Sequence, residues 1–227
     1  MSYNKTISKE NLDLYFLEFG KLLKKKAHNK NISVEIIIVG GASVLLNYNF
    51  RDTTVDIDCI DVHNALMNEI IGEIGNKYDL PNDWINTDFK NTESYSQKLI
   101  NYSSYYKTFG GVLNVRTIKG EYLVAMKIVS GRKYKNDYSD IYGIIKWHKD
   151  NNERMTMSQI DKAIDELYST HEKVDKDAYE FTKRIIEDID SYSREAIKKE
   201  EEDNLELIKN NQSIVDEDNI DEILKKL

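Results

Sequence analysis

Three things are scarce in this sequence of 227 residues: cysteine, proline and long apolar runs. Cysteine occurs once, at Cys59, which excludes an internal disulfide and a cysteine-based zinc site and agrees with a reducing compartment. The single proline, Pro81, marks a loop and not the interior of a helix. No apolar stretch approaches the roughly 20 residues of a membrane-spanning helix, and residues 1–10 lack the apolar segment of a signal peptide. We therefore expect a cytoplasmic protein with no membrane partner.

The composition is that of a globular chain with an acidic end. Hydrophobic residues make up 40% of the sequence, which is enough for a core. The formal charge is −8, and residues 195–227 carry eleven acidic and five basic side chains, so the rest of the chain is close to neutral. Local basic groups such as Arg132, Lys133 and Lys135 can still contact phosphates, because the local field matters more than the total charge.

Apolar spacing predicts strands in the first part of the chain and only helices after it. The predicted strands lie at residues 34–39 and 54–60 and twice within 99–117. The predicted helices lie at residues 8–28, 62–78, 119–131, 137–148 and 156–167, with a longer helical pattern over 175–209. We therefore expect an α/β (α+β) fold, in which a small mixed β-sheet has flanking helices and is followed by a helical C-terminal half.

These elements suggest three regions. Residues 1–148 would form the sheet-containing domain, and residues 149–210 a helical C-terminal region. Residues 211–227 would be an acidic tail with a short amphipathic helix, in which acidic residues come first and lysines last. A tail that packs against nothing is the alternative for this last region.

One stretch predicts a phosphate site. The apolar strand that ends at Val39 runs into Gly40 and Gly41 and then into a helix. Glycines at this position let phosphates approach the backbone, where the unpaired N–H groups of the helix attract anions. Ser43, in the first turn, can add a hydroxyl. Taken alone, two glycines at the end of a strand are more often a tight turn without a ligand.

Two carboxylates on the next predicted strand strengthen this interpretation. Because side chains alternate along a strand, Asp56 and Asp58 would share one face, roughly 7 Å apart. Carboxylates bind Mg²⁺, and Mg²⁺ binds nucleotide phosphates. Two such metal ions can polarise an α-phosphate, activate a hydroxyl and stabilise the leaving pyrophosphate. The pattern therefore predicts a site for Mg²⁺ and an NTP, with a charged strand edge as the alternative.

The combined pattern resembles the nucleotidyltransferase superfamily related to DNA polymerase β, in which Gly-Gly or Gly-Ser precedes a short helix and then Asp-x-Asp or Asp-x-Glu. Within it, the closer resemblance is to bacterial families around the AbiEii abortive-infection toxins. The matching elements lie within residues 34–145 and are Gly40-Gly41-Ala42, Arg51 with Thr53 and Thr54, Asp56-Ile57-Asp58, Trp84-Ile85-Asn86, Glu121 to Lys127, Arg132, and Asp137 with Asp140.

The resemblance implies roles for these residues. The implied metal ligands are Asp56 and Asp58, with a further carboxylate from Asp137 or Asp140. The implied NTP-binding residues are Gly40, Gly41, Ser43, Arg51, Thr54 and Lys127. The implied catalytic residues are Asp56, Asp58, Lys127 and Asp140. The alternative for Lys127 is a lysine whose ammonium reaches out to solvent from a half-buried helix.

The function that the resemblance implies is Mg²⁺-dependent transfer of a nucleoside monophosphate from an NTP to a hydroxyl of RNA, such as tRNA, or of a protein. The family further implies a toxin that acts beside a cognate antitoxin. The predicted strand at residues 112–116 departs from the family pattern, because it lacks the third acid that many relatives carry there. Two alternatives therefore stay open: a nucleotide- or partner-binding module with weak or no catalysis, and an enzyme that modifies a small molecule such as an antibiotic.

Overall fold

The computed structural model describes residues 6–27, 32–60 and 64–211, together with Ile220 and Leu224. The chain divides into two compact units, Met1–Leu123 and Val124–Leu227. Across the described ranges, no helix combines the length and the apolar character that crossing a membrane requires. The domain boundaries expected after residues 148 and 210 stay predictions.

The first unit contains all the strands that the structure describes. They are β1 (Ile7–Ser8), β2 (Val34–Ile38), β3 (Thr53–Thr54), β4 (Ile57–Ile60), β5 (Ile85–Asn86), β6 (Ser103–Phe109) and β7 (Leu113–Ile118). The helices of this unit are α1 (Lys9–Lys26), α2 (Gly40–Asn47) and α3 (Ala65–Tyr78), with 3₁₀ turns at Asp88–Asn91 and Gln97–Tyr102. The boundary between the units falls within α4 (Gly120–Ser130).

The main sheet is mixed and has the strand order β5-β4-β2-β7-β6. Strand β2 pairs in parallel with β7 and antiparallel with β4, while β4 pairs in parallel with β5 and β6 pairs antiparallel with β7. Strands β1 and β3 form a separate antiparallel ladder. The central place of β2 explains its run of isoleucines, because Ile36, Ile37 and Ile38 alternate faces and all three are buried. The mixed sheet with flanking helices confirms the predicted fold class.

One hydrophobic core joins α1, α3 and the sheet. Trp84, just before β5, is 1% exposed, and its indole Nε1 donates a hydrogen bond to the carbonyl of Ile71 in α3 at 3.0 Å. The edge of its ring contacts Tyr15 of α1, with 5.6 Å between the ring centroids. Trp84 therefore anchors β5 against both helices, next to the strand that carries Asp58.

The second unit continues with four helices in its described part, namely α5 (Asp137–Asp150), α6 (Met157–Tyr168), α7 (Lys176–Glu187) and α8 (Arg194–Asn210). The helical pattern over residues 175–209 is divided, because a 3₁₀ turn at Ile189–Ser191 separates α7 from α8. The side chain of Ser193 accepts the backbone N–H of Ala196 and so begins a new helix. The amphipathic helix expected in the acidic tail lies outside the described residues, except for Ile220 and Leu224, which are helical.

Candidate functional site

The turn between β2 and α2 places a helix N-terminus beside a carboxylate. Gly40 has φ +56°, a conformation that other L residues rarely adopt. A β-carbon added at Gly40 would lie 3.2 Å from Oδ2 of Asp58. Strand β4 is held here by a hydrogen bond of 2.9 Å from the backbone N–H of Val39 to the carbonyl of Asp58. The absence of a side chain at Gly40 therefore keeps backbone and carboxylate close together at the start of α2.

A positive charge lies at the same turn. A β-carbon added at Gly41 would lie 2.7 Å from Nη2 of Arg51, so this guanidinium packs directly on the first turn of α2. Nε of Arg51 donates a hydrogen bond of 3.1 Å to the carbonyl of Thr53, which fixes the plane of the group. A guanidinium next to a helix N-terminus is suited to bind phosphate oxygens.

The segment before Asp58 is bent, and the single strand predicted over residues 54–60 is wrong in this respect. Thr54 belongs to β3, which pairs with Ile7 of β1, whereas β4 begins only at Ile57. The hydroxyl of Thr54 donates a hydrogen bond of 3.1 Å to the carbonyl of Asp56. Thr54 is buried and holds the backbone that carries the exposed Asp56, and its contact with an NTP stays a prediction.

Ser43 faces the protein interior. Its side chain is fully buried, and its Oγ accepts the backbone N–H of Ile118 at 3.0 Å. Asn47, one turn later, donates its amide to the carbonyl of the same residue at 2.9 Å. Both residues therefore fasten α2 to β7, and the contact of Ser43 with a triphosphate stays a prediction.

Asn86 is a residue of the site that the sequence did not single out for a role. The parallel register of β4 and β5 pairs Asp58 with Asn86, so their side chains share one face of the sheet. The amide of Asn86 donates to the carbonyl of Asp83 at 3.2 Å, and its oxygen accepts the N–H of Asp88 at 2.9 Å. Asn86 thus fixes the loop around β5 beside Asp58.

The other predicted site residues form a buried ionic cluster in the second unit. The ammonium of Lys127 lies 2.7 Å from Oδ1 of Asp137 and 3.0 Å from Oδ2 of Asp140, and both aspartates are fully buried. Arg132 adds a hydrogen bond of 2.8 Å from Nε to Oδ2 of Asp137. Burial alone would raise the pKa of Asp137, but Lys127 and Arg132 outweigh it and hold that pKa well below its ordinary value. We call Lys127, Arg132, Asp137 and Asp140 the buried cluster.

A further buried carboxylate, Glu201 of α8, lies at the start of α5. Its Oε1 accepts the backbone N–H groups of Tyr138 at 2.8 Å and Ser139 at 3.1 Å. Its Oε2 is buried with no hydrogen-bond partner in the described part of the chain. Burial raises the pKa of Glu201 to about 7; hydrogen bonds from Ser139 oppose this rise, and the charge of Asp140 adds to it. Nothing in the acidic run of residues 200–203 distinguishes Glu201 from its neighbours.

The carboxylates of Asp56 and Asp58 suit a metal ion whose other ligands are substrate phosphates and water. Across residues 6–27, 32–60 and 64–211, no three or more His, Cys, Asp or Glu side chains are grouped so as to hold a metal ion. Mg²⁺ seldom uses such an all-protein cage and is typically held by one or two carboxylates, substrate phosphates and water. The oxygens of Asp58 at the start of α2, with those of the exposed Asp56 two residues earlier, fit this mode of binding.

A protein-family model described as nucleotidyltransferase of unknown function (DUF6036) matches residues 16–147. This range is more than half of the chain and includes the α2 turn, Asp56, Asp58 and the buried cluster. Neither a curated protein nor a solved structure matches the chain significantly. The match confirms the predicted relation to nucleotidyltransferases and does not reach the finer resemblance to AbiEii-type toxins.

Proposed function

The chain belongs to the family described as nucleotidyltransferases of unknown function (DUF6036), and we propose that it transfers a nucleoside monophosphate from an NTP to a hydroxyl. The observation that carries the proposal is the contact between the Gly40 turn and Asp58, where a β-carbon on Gly40 would lie 3.2 Å from the carboxylate. Nucleotidyl transfer needs a phosphate-binding backbone and a metal-binding carboxylate at one place. This turn provides both.

Each residue at the turn has a proposed task. The N–H groups at the start of α2 and the guanidinium of Arg51 bind the phosphates beyond the scissile bond and hold them in line. Asp56 and Asp58 hold Mg²⁺, which when bound polarises the α-phosphate and neutralises the charge that develops on pyrophosphate. Thr54 positions Asp56 through its hydrogen bond to the carbonyl of that residue, and Asn86 holds the loop around β5 in place beside Asp58.

The buried cluster receives a supporting task in this proposal. Two carboxylates already bind the ammonium of Lys127, and that ammonium together with Arg132 compensates Asp137. These ion pairs favour a structural role for Lys127, Asp137 and Asp140 over the phosphate and metal contacts that the family resemblance implied. The reaction would then depend on the Asp56 and Asp58 pair alone.

A second candidate is a nucleotide-binding module with weak or no catalysis. It is favoured by β7, which has no carboxylate and instead carries Arg116. The guanidinium of Arg116 donates hydrogen bonds of 2.8 Å from Nε and from Nη2 to Oγ and the carbonyl of Ser103. A third metal-binding acid on this strand is therefore replaced by a residue that ties β7 to β6.

The two candidates are separated by label transfer. The full chain is incubated with each α-labelled NTP, Mg²⁺ and total cellular RNA or protein, and nuclease or protease treatment then identifies the labelled acceptor. We expect transfer that Asp56→Ala and Asp58→Ala abolish and that Asp79→Asn, at an exposed carboxylate after α3, leaves intact. Mg²⁺-dependent nucleotide binding without transfer to any acceptor would instead support the module.

The proposed biological setting is that of a toxin with RNA, such as tRNA, or a protein as the acceptor, and with a cognate antitoxin. Expression in a bacterial host tests it. We expect growth arrest with the parent chain, relief with Asp58→Ala, and relief on co-expression of a small regulator encoded next to the gene. Equal growth arrest with Asp58→Ala would separate toxicity from nucleotidyl transfer and contradict this part of the proposal.

A further inference from the structure

The helical second unit contains a cavity that the proposed reaction does not use. Its volume is about 370 Å³, and its lining comes from α5, α7, α8 and the segments before α5 and α8. Small-molecule sites typically have volumes of about 300–1,000 Å³ and combine an apolar body with a few polar groups. The cavity is thus of a size to take a small organic ligand.

Aromatic rings form part of its lining. The ring centroids of Tyr138 and Phe181 are 4.9 Å apart, and those of Phe181 and Tyr192 are 6.4 Å apart. The hydroxyl of Tyr142 donates a hydrogen bond of 3.0 Å to the carbonyl of Tyr192, which fixes the segment before α8. Such rings offer both apolar surface and the negative face that attracts organic cations.

The charges around these rings are mostly negative. Lys133 and Asp177 form an ion pair with each other and so compensate one another. Glu180 likewise forms an ion pair with Lys183, at 3.5 Å. The remaining charged residues of the lining are the carboxylates of Glu200 and Glu201 and the guanidinium of Arg184. This excess of one carboxylate favours a cationic ligand over an anionic one.

Glu201 adds a second and independent sign of a ligand. It is 3% exposed and lines the cavity, yet its Oε2 has no hydrogen-bond partner among the described residues. Buried polar atoms are nearly always hydrogen-bonded, so an acceptor in this state calls for a donor from outside the chain. An ammonium group offers up to three N–H donors and a charge of the right sign.

We propose that this cavity binds a small organic amine, with its ammonium directed to the carboxylate of Glu201 and its apolar or aromatic body against Phe181. The proposal does not depend on nucleotidyl transfer, because every residue involved lies in the second unit and the test measures binding alone. An anion held by Arg184 is the competing occupant, and the test separates the two.

Three probes with the same ring test the proposal by calorimetry on the full chain: tyramine, the alcohol tyrosol and the acid 4-hydroxyphenylacetate. We expect tyramine to bind at least about 10-fold more tightly than tyrosol, because only the amine makes a charge-assisted hydrogen bond. The acid should bind most weakly. Equal binding of amine and alcohol, tighter binding of the acid, or no binding of tyramine at millimolar concentration would overturn the proposal.

Two substitutions should change the affinity for tyramine in opposite directions. Glu201→Gln keeps the shape and the acceptor for α5 but removes the charge, and it should weaken tyramine binding about 10-fold. Glu202→Gln, at the exposed neighbouring position, is the matched control and should have no effect. Arg184→Gln removes an exposed cation and should strengthen tyramine binding about twofold, since the repulsion is screened by solvent. If Glu201→Gln does not fold, weaker binding in Arg184→Gln still contradicts a cation site.

Discussion

Two groups of aspartates in this chain have opposite surroundings. We call Asp56 and Asp58 the open pair: Asp56 lies at a bent segment and is exposed, and Asp58 lies on the short strand β4 beside the N-terminus of α2. Asp137 and Asp140 belong to the buried cluster, where both are fully buried and bonded to Lys127. The sequence presents both groups as closely spaced aspartates in a nucleotidyltransferase pattern. Their environments favour a chemical role for Asp56 and Asp58 and a structural role for Asp137 and Asp140.

The difference lies in burial. In the buried cluster, an ammonium and a guanidinium of the same chain neutralise the fully buried Asp137. A carboxylate in that state holds helices together, and a metal ion would have to displace a cation that is already bound. In the open pair Asp56 is exposed and Asp58 is half-buried, so water and Mg²⁺ have access to these carboxylates. The open pair is therefore the group to which we assign chemistry.

The largest expected contrast is in stability. Asp137→Asn should lower the free energy of unfolding by about 3 kcal/mol, because it breaks a buried ion pair, removes one of the two anions of Lys127 and removes the anion bound by the half-buried Arg132. Asp58→Asn should change the free energy of unfolding by less than about 1 kcal/mol, as is usual for a site open to water. Urea unfolding followed by circular dichroism measures both. Similar losses in the two variants would remove the distinction between the groups.

A second contrast concerns pH and involves Glu201 of the second unit. Its pKa in the folded chain, about 7, lies above the ordinary value of 4.5. The folded state therefore binds this proton more tightly than the unfolded state does. The contribution of protonated Glu201 to the free energy of unfolding is complete below pH 4.5 and is lost as pH rises through about 7. The loss amounts to roughly 3.5 kcal/mol at most, since the rise is about 2.5 pKa units and one unit corresponds to about 1.4 kcal/mol.

Urea unfolding at several values between pH 5 and pH 8 checks this sign. The parent chain should lose stability relative to Glu201→Gln across the interval, because glutamine does not titrate. Asp137 acts in the opposite direction, since its lowered pKa gives stability that is lost only as pH falls toward strongly acidic values. A difference between the parent chain and Glu201→Gln that does not change with pH would show that Glu201 has an ordinary pKa.

The third contrast tests the turn that distinguishes the open pair. Gly40→Ala places a β-carbon 3.2 Å from Oδ2 of Asp58 and forces a non-glycine residue to φ +56°. The strain should cost about 1–2 kcal/mol of stability, and NTP binding should weaken about 10-fold because the phosphate approach is narrowed. Gly72→Ala is a matched control, since a β-carbon there meets nothing within 4 Å. Gly72 lies within helix α3, so the control variant should gain up to about 1 kcal/mol of stability and should bind NTP as the parent chain does. Unchanged NTP binding in Gly40→Ala would contradict a phosphate site at this turn.

Much of the fold follows from local patterns in the sequence. The apolar spacing predicts α1, and Ser8 caps it by accepting the N–H of Asn11. The Gly110-Gly111 segment separates β6 from β7, and Thr156 with Gln159 forms a complete capping box at the start of α6. Each of these signals depends on residues that are neighbours in the chain, and for that reason the sequence reveals them.

The remaining features depend on contacts between distant residues. Strand β5 has only two residues, and nothing in Ile85-Asn86 indicates that Asn86 lies opposite Asp58. The distance between residues 58 and 86 in the chain hides that register. In the same way, Glu201 reaches an α5 terminus more than 60 residues earlier, and one acidic residue in a run of four cannot be distinguished by type. Burial, which separates the open pair from the buried cluster, is also a property of the folded chain alone.

The smallest expected contrast exchanges arginine for lysine in both regions. Arg132 binds both oxygens of Asp137, with 2.8 Å from Nε to Oδ2 and 3.2 Å from Nη2 to Oδ1. Lysine cannot reproduce this fork, so Arg132→Lys should lower the free energy of unfolding by about 1 kcal/mol. Arg51→Lys should change stability by less than about 0.5 kcal/mol, because Arg51 is partly exposed.

The effect on the KM for NTP should be larger for Arg51→Lys than for Arg132→Lys, which is the reverse of the order expected for stability. Arg51→Lys should raise the KM for NTP about threefold, since a point charge replaces a planar group that packs on the first turn of α2. Arg132→Lys should leave that KM unchanged as long as the chain is folded, because the Arg132 guanidinium is bound to Asp137 in the buried cluster. Steady-state kinetics at several NTP concentrations measures both values. A larger rise in KM for Arg132→Lys than for Arg51→Lys would move the phosphate contact from the α2 turn to the buried cluster, and with it the assignment of chemistry to Asp56 and Asp58.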